Sequence, residues 1–251
     1  MVLEPFVAAL RFLTIVPIPG QVGTDSYSLA ASTPWFPLVG LLIGLVCAPL
    51  AWLLWWLLPH AVAAVLVTSL LFAFSGGLHL DGLADTADGL FSARSRDRML
   101  AIMRDSRIGA MGVIALIMLL LLKTTALASL DMDRLLAAVV LAPVAGRCAI
   151  LFMMALLPYA RPEGGLGTLF YSRRSRLVGV WGVVFFLACA LLVTGPAGLA
   201  VAGLTLLLLA VLALFLKCRL GGATGDTLGA ACELAELSVV LAFSCTLWSG
   251  S

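Results

Sequence analysis

Residues 61–89 read AVAAVLVTSLLFAFSGGLHLDGLADTADG, an apolar run that ends in three aspartates. The run from 61 to 80 has about the 20 residues that an α-helix needs to cross the hydrocarbon of a bilayer. Asp81, Asp85 and Asp88 follow at i, i+4 and i+7, a spacing that sets them along one helical face. Carboxylates crowded at a membrane edge repel one another and lose hydration. A divalent cation relieves both costs, and hard oxygen donors suit Mg²⁺, with Mn²⁺ as the alternative, better than a soft metal. The segment therefore predicts a transmembrane helix with a metal site at its mouth. Gly82 and Gly89 interrupt helix propensity there and leave room for a phosphate to approach.

The rest of the chain agrees with a membrane setting. Of 251 residues, 63% are hydrophobic and only 11% charged, against about 25% charged in an ordinary soluble domain. That balance excludes a soluble globular protein and gives no surface for nucleic acid. Seven stretches are long and apolar enough to span: 35–58, 61–80, 108–128, 135–157, 177–193, 196–216 and 228–248. Residues 3–15, interrupted by Arg11 and closed by Pro17 and Pro19, read as an interfacial or re-entrant helix. The expected fold is all-α: a polytopic helical bundle of about seven transmembrane helices plus that N-terminal helix, forming one membrane-embedded catalytic domain over 1–251. Glu4 and Pro5 stand where a secretory leader would carry basic residues, so no cleaved leader is expected. Six cysteines show no ligand spacing and read as small buried thiols. Trp52, Trp55 and Trp56 read as an interface belt.

Basic residues set the orientation. Arg94, Arg96, Arg98, Arg104 and Arg107 lie between the second and third spans, and Arg161, Arg173, Arg174 and Arg176 between the fourth and fifth. With Arg11, Lys217 and Arg219, this places 12 of the 15 basic residues on one side. Lys123 and Arg134 flank the opposite loops, and Arg147 falls within a span. The N-terminus and the three basic loops are expected in the cytoplasm, the C-terminus outside. The chain is expected in a bacterial inner membrane, with its active site on the cytoplasmic face.

A second acidic element, GDTLGAACELAE at 225–236, opens the last span on that same side. Asp226 resembles a helix cap after a glycine turn, but Glu233 lies deeper in an apolar run, where an acid is functional by default. The two are expected to complete the site of Asp81, Asp85 and Asp88 through a contact between the second and seventh spans. Arg104 and Arg107, with Arg94 nearby, have the planar, bidentate chemistry that recognises phosphate. Arg147 in mid-span requires a carboxylate partner or a substrate. The lone His79 reads as structural before it reads as a ligand or base. Acids for a metal and arginines for phosphate point to in-line phosphoryl-type transfer.

Four pieces, RFLTIVPIP at 11–19, GGLHLDGLADTADG at 76–89, RDSRIGAMG at 104–112 and GDTLGAACE at 225–233, together resemble the cobalamin-5′-phosphate synthase family of ribazoletransferases. The resemblance implies a Mg²⁺-dependent membrane enzyme that joins adenosylcobinamide-GDP to α-ribazole or its 5′-phosphate and releases GMP, late in cobalamin assembly. It implies a metal set of Asp81, Asp85, Asp88, Asp226 and Glu233. Catalytic roles fall to Asp81, Asp88 and Glu233, and substrate contacts to Arg94, Arg104, Arg107 and Arg147. Association with other late cobamide-assembly enzymes is a further expectation. The rival is a CDP-alcohol phosphotransferase, with signature D-x2-D-G-x2-A-R-x(8–9)-G-x3-D-x3-D; here one extra residue precedes Ala93 and Arg94, and the acids of the second half are missing after Gly109 and Gly112. A cation-coupled transporter is a third reading, but its acids belong at the bilayer midplane in two related halves.

Overall fold

The computed structural model describes residues 3–161, 163–164, 166–171 and 174–245. The helices are α1 (Leu3–Leu13), α2 (Ser26–Ala30), α3 (Phe36–Leu57), α4 (His60–Ala73), α5 (Leu78–Leu90), α6 (Arg96–Ile102), α7 (Ala110–Ala128), α8 (Met132–Leu156), α9 (Ser175–Thr194), α10 (Pro196–Leu220) and α11 (Gly225–Ser244). Among the described residues there is no sheet; a single β-bridge joins Tyr159 to Ala223. Six helices are long and apolar enough to cross a membrane, namely α3 with its preceding turn, α7, α8, α9, α10 and α11. The expected spans fall on these helices within a few residues. The tail of the expected last span, 246–248, and Arg173 lie outside the described residues.

The second expected span is where the structure departs from the reading. It stops at Ala73, and α5 leaves α4 at 90° after a short break. The cause is backbone: Gly76 (φ +59°) and Gly77 (φ +77°) both take left-handed geometry, which ends a helix. The N-terminal segment fills the corner. Ile15 N–H donates to Phe74 C=O at 2.8 Å, and a Cβ on Gly76 would strike the Ile15 side chain at 2.6 Å. Arg11, read as an interruption of an apolar segment, folds the loop that follows. Its guanidinium donates to the carbonyls of Ile18 and Gly20 (both 2.7 Å) and Val22 (3.1 Å).

Two helices, α8 and α11, form the buried axis, while the others keep broad apolar faces such as Leu204, Leu207, Val211 and Leu214 exposed for lipid. Without a hydrophobic drive between helices in lipid, close backbone approach supplies the packing. Gly40 and Gly44, one helical turn apart on α3, lie directly against the carbonyls of Pro143 and Val140 on α8, so near that a Cβ at either would overlap them. Gly146 on α8 meets Cys232 and Glu236 of α11 in the same way. Trp55 is buried against His60, its ring stacked at 4.2 Å, whereas Trp52 and Trp56 are exposed.

Candidate active site

The site is built where α5 crosses the start of α11. Between residues 81 and 90 of α5, the only positions not buried are Asp81, Asp85 and Asp88. The 3.6-residue period thus leaves one acidic stripe facing out of the packed bundle. The crossing is tight because Gly82 has no side chain: a Cβ there would lie 2.8 Å from the Asp226 carbonyl. The expected neighbourhood of the two acidic motifs is present.

Asp226 is fixed from three directions. A capping box of Thr224 and Thr227 starts α11. The Thr224 hydroxyl donates to the Asp226 carboxylate at 3.2 Å, and Arg161 is ion-paired with the same oxygen. Arg161 is itself placed by backbone pairing, with Ala160 N–H donating to Ala223 C=O (2.8 Å) and Ala223 N–H to Pro158 C=O (2.9 Å). Arg96 staples this loop through the carbonyls of Ala160 (2.7 Å) and Leu220 (2.8 Å). The sequence had offered Arg96 and Arg161 only as members of a basic loop. Loop counting weights all arginines alike, so no signal marked either one.

Around Asp85, the carboxylates of Asp81, Asp226 and Asp88 all act electrostatically, with Arg161 the cation among them. This surplus of hard oxygen donors is the chemistry of a divalent-cation site. Among the described residues no three His, Cys, Asp or Glu side chains are drawn close enough to cage an ion alone. Water and substrate phosphate would have to complete the shell, as Mg²⁺ commonly requires.

Three expected site residues have other partners. Asp88 accepts backbone N–H bonds from Gly109 (2.7 Å) and Gly112 (2.8 Å), so both oxygens cap the start of α7. Glu233 does not join the aspartates: its Oε2 accepts from Lys123 Nζ at 2.9 Å, deep in the bundle. Lys123 bonds Glu236 equally, at 2.9 Å, and Arg147 pairs with Glu236. The correction has a plain reason. Two buried anions are balanced by two buried cations, which is the only inexpensive state for charge in an apolar interior. Arg147 thereby has the carboxylate partner the sequence demanded, and Lys123, read as an outer flank, is a core residue only 2% exposed.

The remaining arginines of the expected site are solvent-accessible and do not line its cavity. Arg94 is exposed and follows Ala93, whose φ of +54° turns the chain sharply after α5. Arg104 pairs with Glu163. Arg107 donates to Asp105 in a bidentate pair through Nε (3.0 Å) and Nη2 (2.7 Å) and holds that carboxyl down at about 2. Arg104 and Arg107 are partly or largely exposed, so both ion pairs are open to water.

A cavity of about 320 Å³ opens beside the crossing, with Asp81, Asp226 and Arg161 among its lining residues. A model of the cobalamin-5-phosphate synthase family matches residues 5–244 of the chain. Adenosylcobinamide-GDP ribazoletransferase of Roseiflexus sp. (strain RS-1) is 45% identical over 93% of this chain and 86% of its own length. The ribazoletransferase of Desulforamulus reducens is 40% identical over 92% of each chain. That of Klebsiella pneumoniae (strain 342) is 43% identical over 96% of this chain and 99% of its own. No solved structure matches the chain.

Proposed function

The chain belongs to the cobalamin-5-phosphate synthase family and is an enzyme, a transferase, and from that premise we propose that it joins adenosylcobinamide-GDP to α-ribazole or its 5′-phosphate. A ribose hydroxyl attacks the phosphorus attached to the cobinamide arm. The P–O bond to GMP breaks, GMP leaves with that bridging oxygen, and the hydroxyl proton passes to a carboxylate. The observation that carries this reading is the shared cavity of Asp81, Asp226 and Arg161, which joins acids and a cation from distant parts of the chain.

Asp81, Asp85 and Asp226 are the residues that would hold Mg²⁺ or Mn²⁺, with Asp88 fixing the end of the stripe. The metal would supply charge neutralisation at the pyrophosphate. Asp81, exposed at the cavity, is placed to take the proton; Asp88 and Glu233 are engaged by the α7 amides and by Lys123. Arg161 orients Asp226, and Arg94, Arg104 and Arg107 are proposed to meet the diphosphate. The whole site is proposed to face the cytoplasm from a bacterial inner membrane.

The test is GMP release by the purified protein from adenosylcobinamide-GDP and α-ribazole 5′-phosphate, with and without Mg²⁺. CDP-diacylglycerol plus an alcohol acceptor is run in parallel. Release of GMP only with Mg²⁺ supports the reading, and CMP release from the lipid donor without GMP release would overturn it in favour of the phospholipid rival.

A further inference from the structure

A groove runs along the outside of the bundle and shares no residue with the cavity beside the acids. Its floor is the buried face of α5 opposite the aspartates, Leu83, Ala87 and Leu90, continued by Ala230 and Leu237 of α11. The walls are α7 and α10, which both pack on α11 but make no extensive contact with one another. Met118 on α7 and Phe215 on α10 are 49% and 42% exposed, so the groove opens on the lipid-facing perimeter. No polar atom is exposed inside it: Thr227 spends its hydroxyl on Thr224, and the hydroxyl of Thr86 is buried. From Thr227 to Leu237 the groove follows α11 for about 15 Å at the helical rise. That is half of the roughly 30 Å hydrocarbon layer, the depth of one leaflet. Spread over that length, a volume of about 310 Å³ leaves a bore of about 20 Å².

One end of the groove is cationic. Arg219 lies one helical turn beyond Phe215 and Leu216, on the same face of α10, and is exposed. Its Nη2 reaches the carbonyl of Leu90, a floor residue, at 3.5 Å, and it has no carboxylate partner among the described residues. Lys217 is exposed in the same turn. We propose that the groove holds one acyl chain of an anionic phospholipid, with the headgroup phosphate at Arg219. The lipid belongs to the leaflet on the side of the basic loops, since Arg219 is in that set and the groove descends from it by one leaflet's depth. The lining decides the occupant. Nucleotide and corrinoid substrates carry polar groups that this surface cannot pair, and a helix about 10 Å across is too thick for the bore. A hydrocarbon chain restores the dispersion contacts that an empty crevice forfeits. A neutral lipid would fill the bore equally well. The unpaired guanidinium selects an anionic headgroup, as basic pockets between transmembrane helices do.

The test is native mass spectrometry of the delipidated full-length protein, titrated with dioleoylphosphatidylglycerol and, separately, dioleoylphosphatidylcholine. The wild type should bind the first lipid molecule of phosphatidylglycerol at least about fivefold more tightly than that of phosphatidylcholine, the effect of one basic residue near a membrane surface. Arg219→Gln should remove about that factor for phosphatidylglycerol and move phosphatidylcholine less than about twofold. Arg176→Gln, the same charge change on α9 away from the groove, should leave both within about twofold. Ala115→Trp, which fills the bore from its α7 wall, should weaken both lipids at least about tenfold, the loss of a few buried methylenes. Met118→Trp at the open edge serves should that variant not fold. Dihexanoylphosphatidylglycerol, which keeps the headgroup and loses most of the chain, should bind at least about tenfold more weakly than the dioleoyl lipid. Equal affinity of the wild type for the two dioleoyl lipids, equal losses in the Arg219 and Arg176 variants, or undiminished binding in the tryptophan variants would overturn the proposal.

Discussion

Asp85 and Asp88 stand one helical turn apart on α5, yet their surroundings give them different duties. Asp88 spends both oxygens on the amides of Gly109 and Gly112 and so caps α7 from outside its own chain segment. Asp88→Ala is therefore expected to lower stability by about 1–2 kcal/mol, the size of a lost cap, in addition to slowing turnover. Asp81→Ala and Asp85→Ala should leave unfolding in detergent unchanged while reducing GMP release by about a hundredfold or more, beyond what losing an outer-shell partner costs. Thermal unfolding beside a GMP assay separates the two classes; equal melting losses for all three variants would refute the division. The buried quartet makes a second residue-scale case. Removing the Lys123 ammonium leaves Glu233 and Glu236 to share Arg147, and uncompensated buried charge costs about 3–5 kcal/mol. Lys123→Met should melt far lower than wild type, and adding Glu233→Gln should recover part of the loss. No recovery in the double variant would show that the pair is not coupled. This network was the least legible part of the sequence. Its members lie up to 113 residues apart, and a lysine near the end of an apolar run reads as snorkelling to the interface.

At the scale of elements, the site depends on how closely α5 and α11 cross. Gly82→Ala sets a methyl 2.8 Å from the Asp226 carbonyl, so the helices must separate. We expect turnover to fall at least about tenfold and half-maximal Mg²⁺ to rise, since displacing aligned groups by an ångström costs on the order of a hundredfold in the extreme. Gly203 on α10 supplies the control. It has nothing within 4 Å, and Ala there should be neutral or stabilising by up to about 1 kcal/mol. Similar kinetics for the two variants would remove the crossing from the argument. The positions of α7 to α11 were legible because twenty apolar residues in a row admit few alternatives in a membrane. The 90° turn between α4 and α5 was not. Gly-Gly within an apolar run is compatible with an unbroken span, and only the docking of Ile15 on Phe74 selects the left-handed corner. The acidic stripe was legible for the opposite reason: it uses local spacing, which survives the turn.

For the whole molecule, the charge asymmetry is a sum over many loops and is read directly from the sequence, whereas the roles of single arginines are not; the orientation it predicts is what the native thiols can test. Arg161 and Arg96 belong to the counted basic set and also build the site, which ties the sidedness of the bundle to the sidedness of its chemistry. The native cysteines report on this without engineering. Cys47, Cys148, Cys189 and Cys232 are buried, whereas Cys218 and Cys245 are exposed. Cys218 lies in the last turn of α10, beside Lys217 and Arg219 and just before the loop that leads to Asp226. Cys245 closes the far end of α11. A helix of 20 residues spans about 30 Å, so these two thiols should lie on opposite membrane faces. A membrane-impermeant maleimide is expected to label Cys218 in inside-out vesicles and Cys245 in intact spheroplasts, with all six thiols reacting after denaturation. Single Cys218→Ser and Cys245→Ser variants assign each band. Labelling of Cys218 from outside the cell would invert the bundle, turn Asp81, Asp85 and Asp226 away from the cytoplasm, and sink the proposed cytoplasmic site.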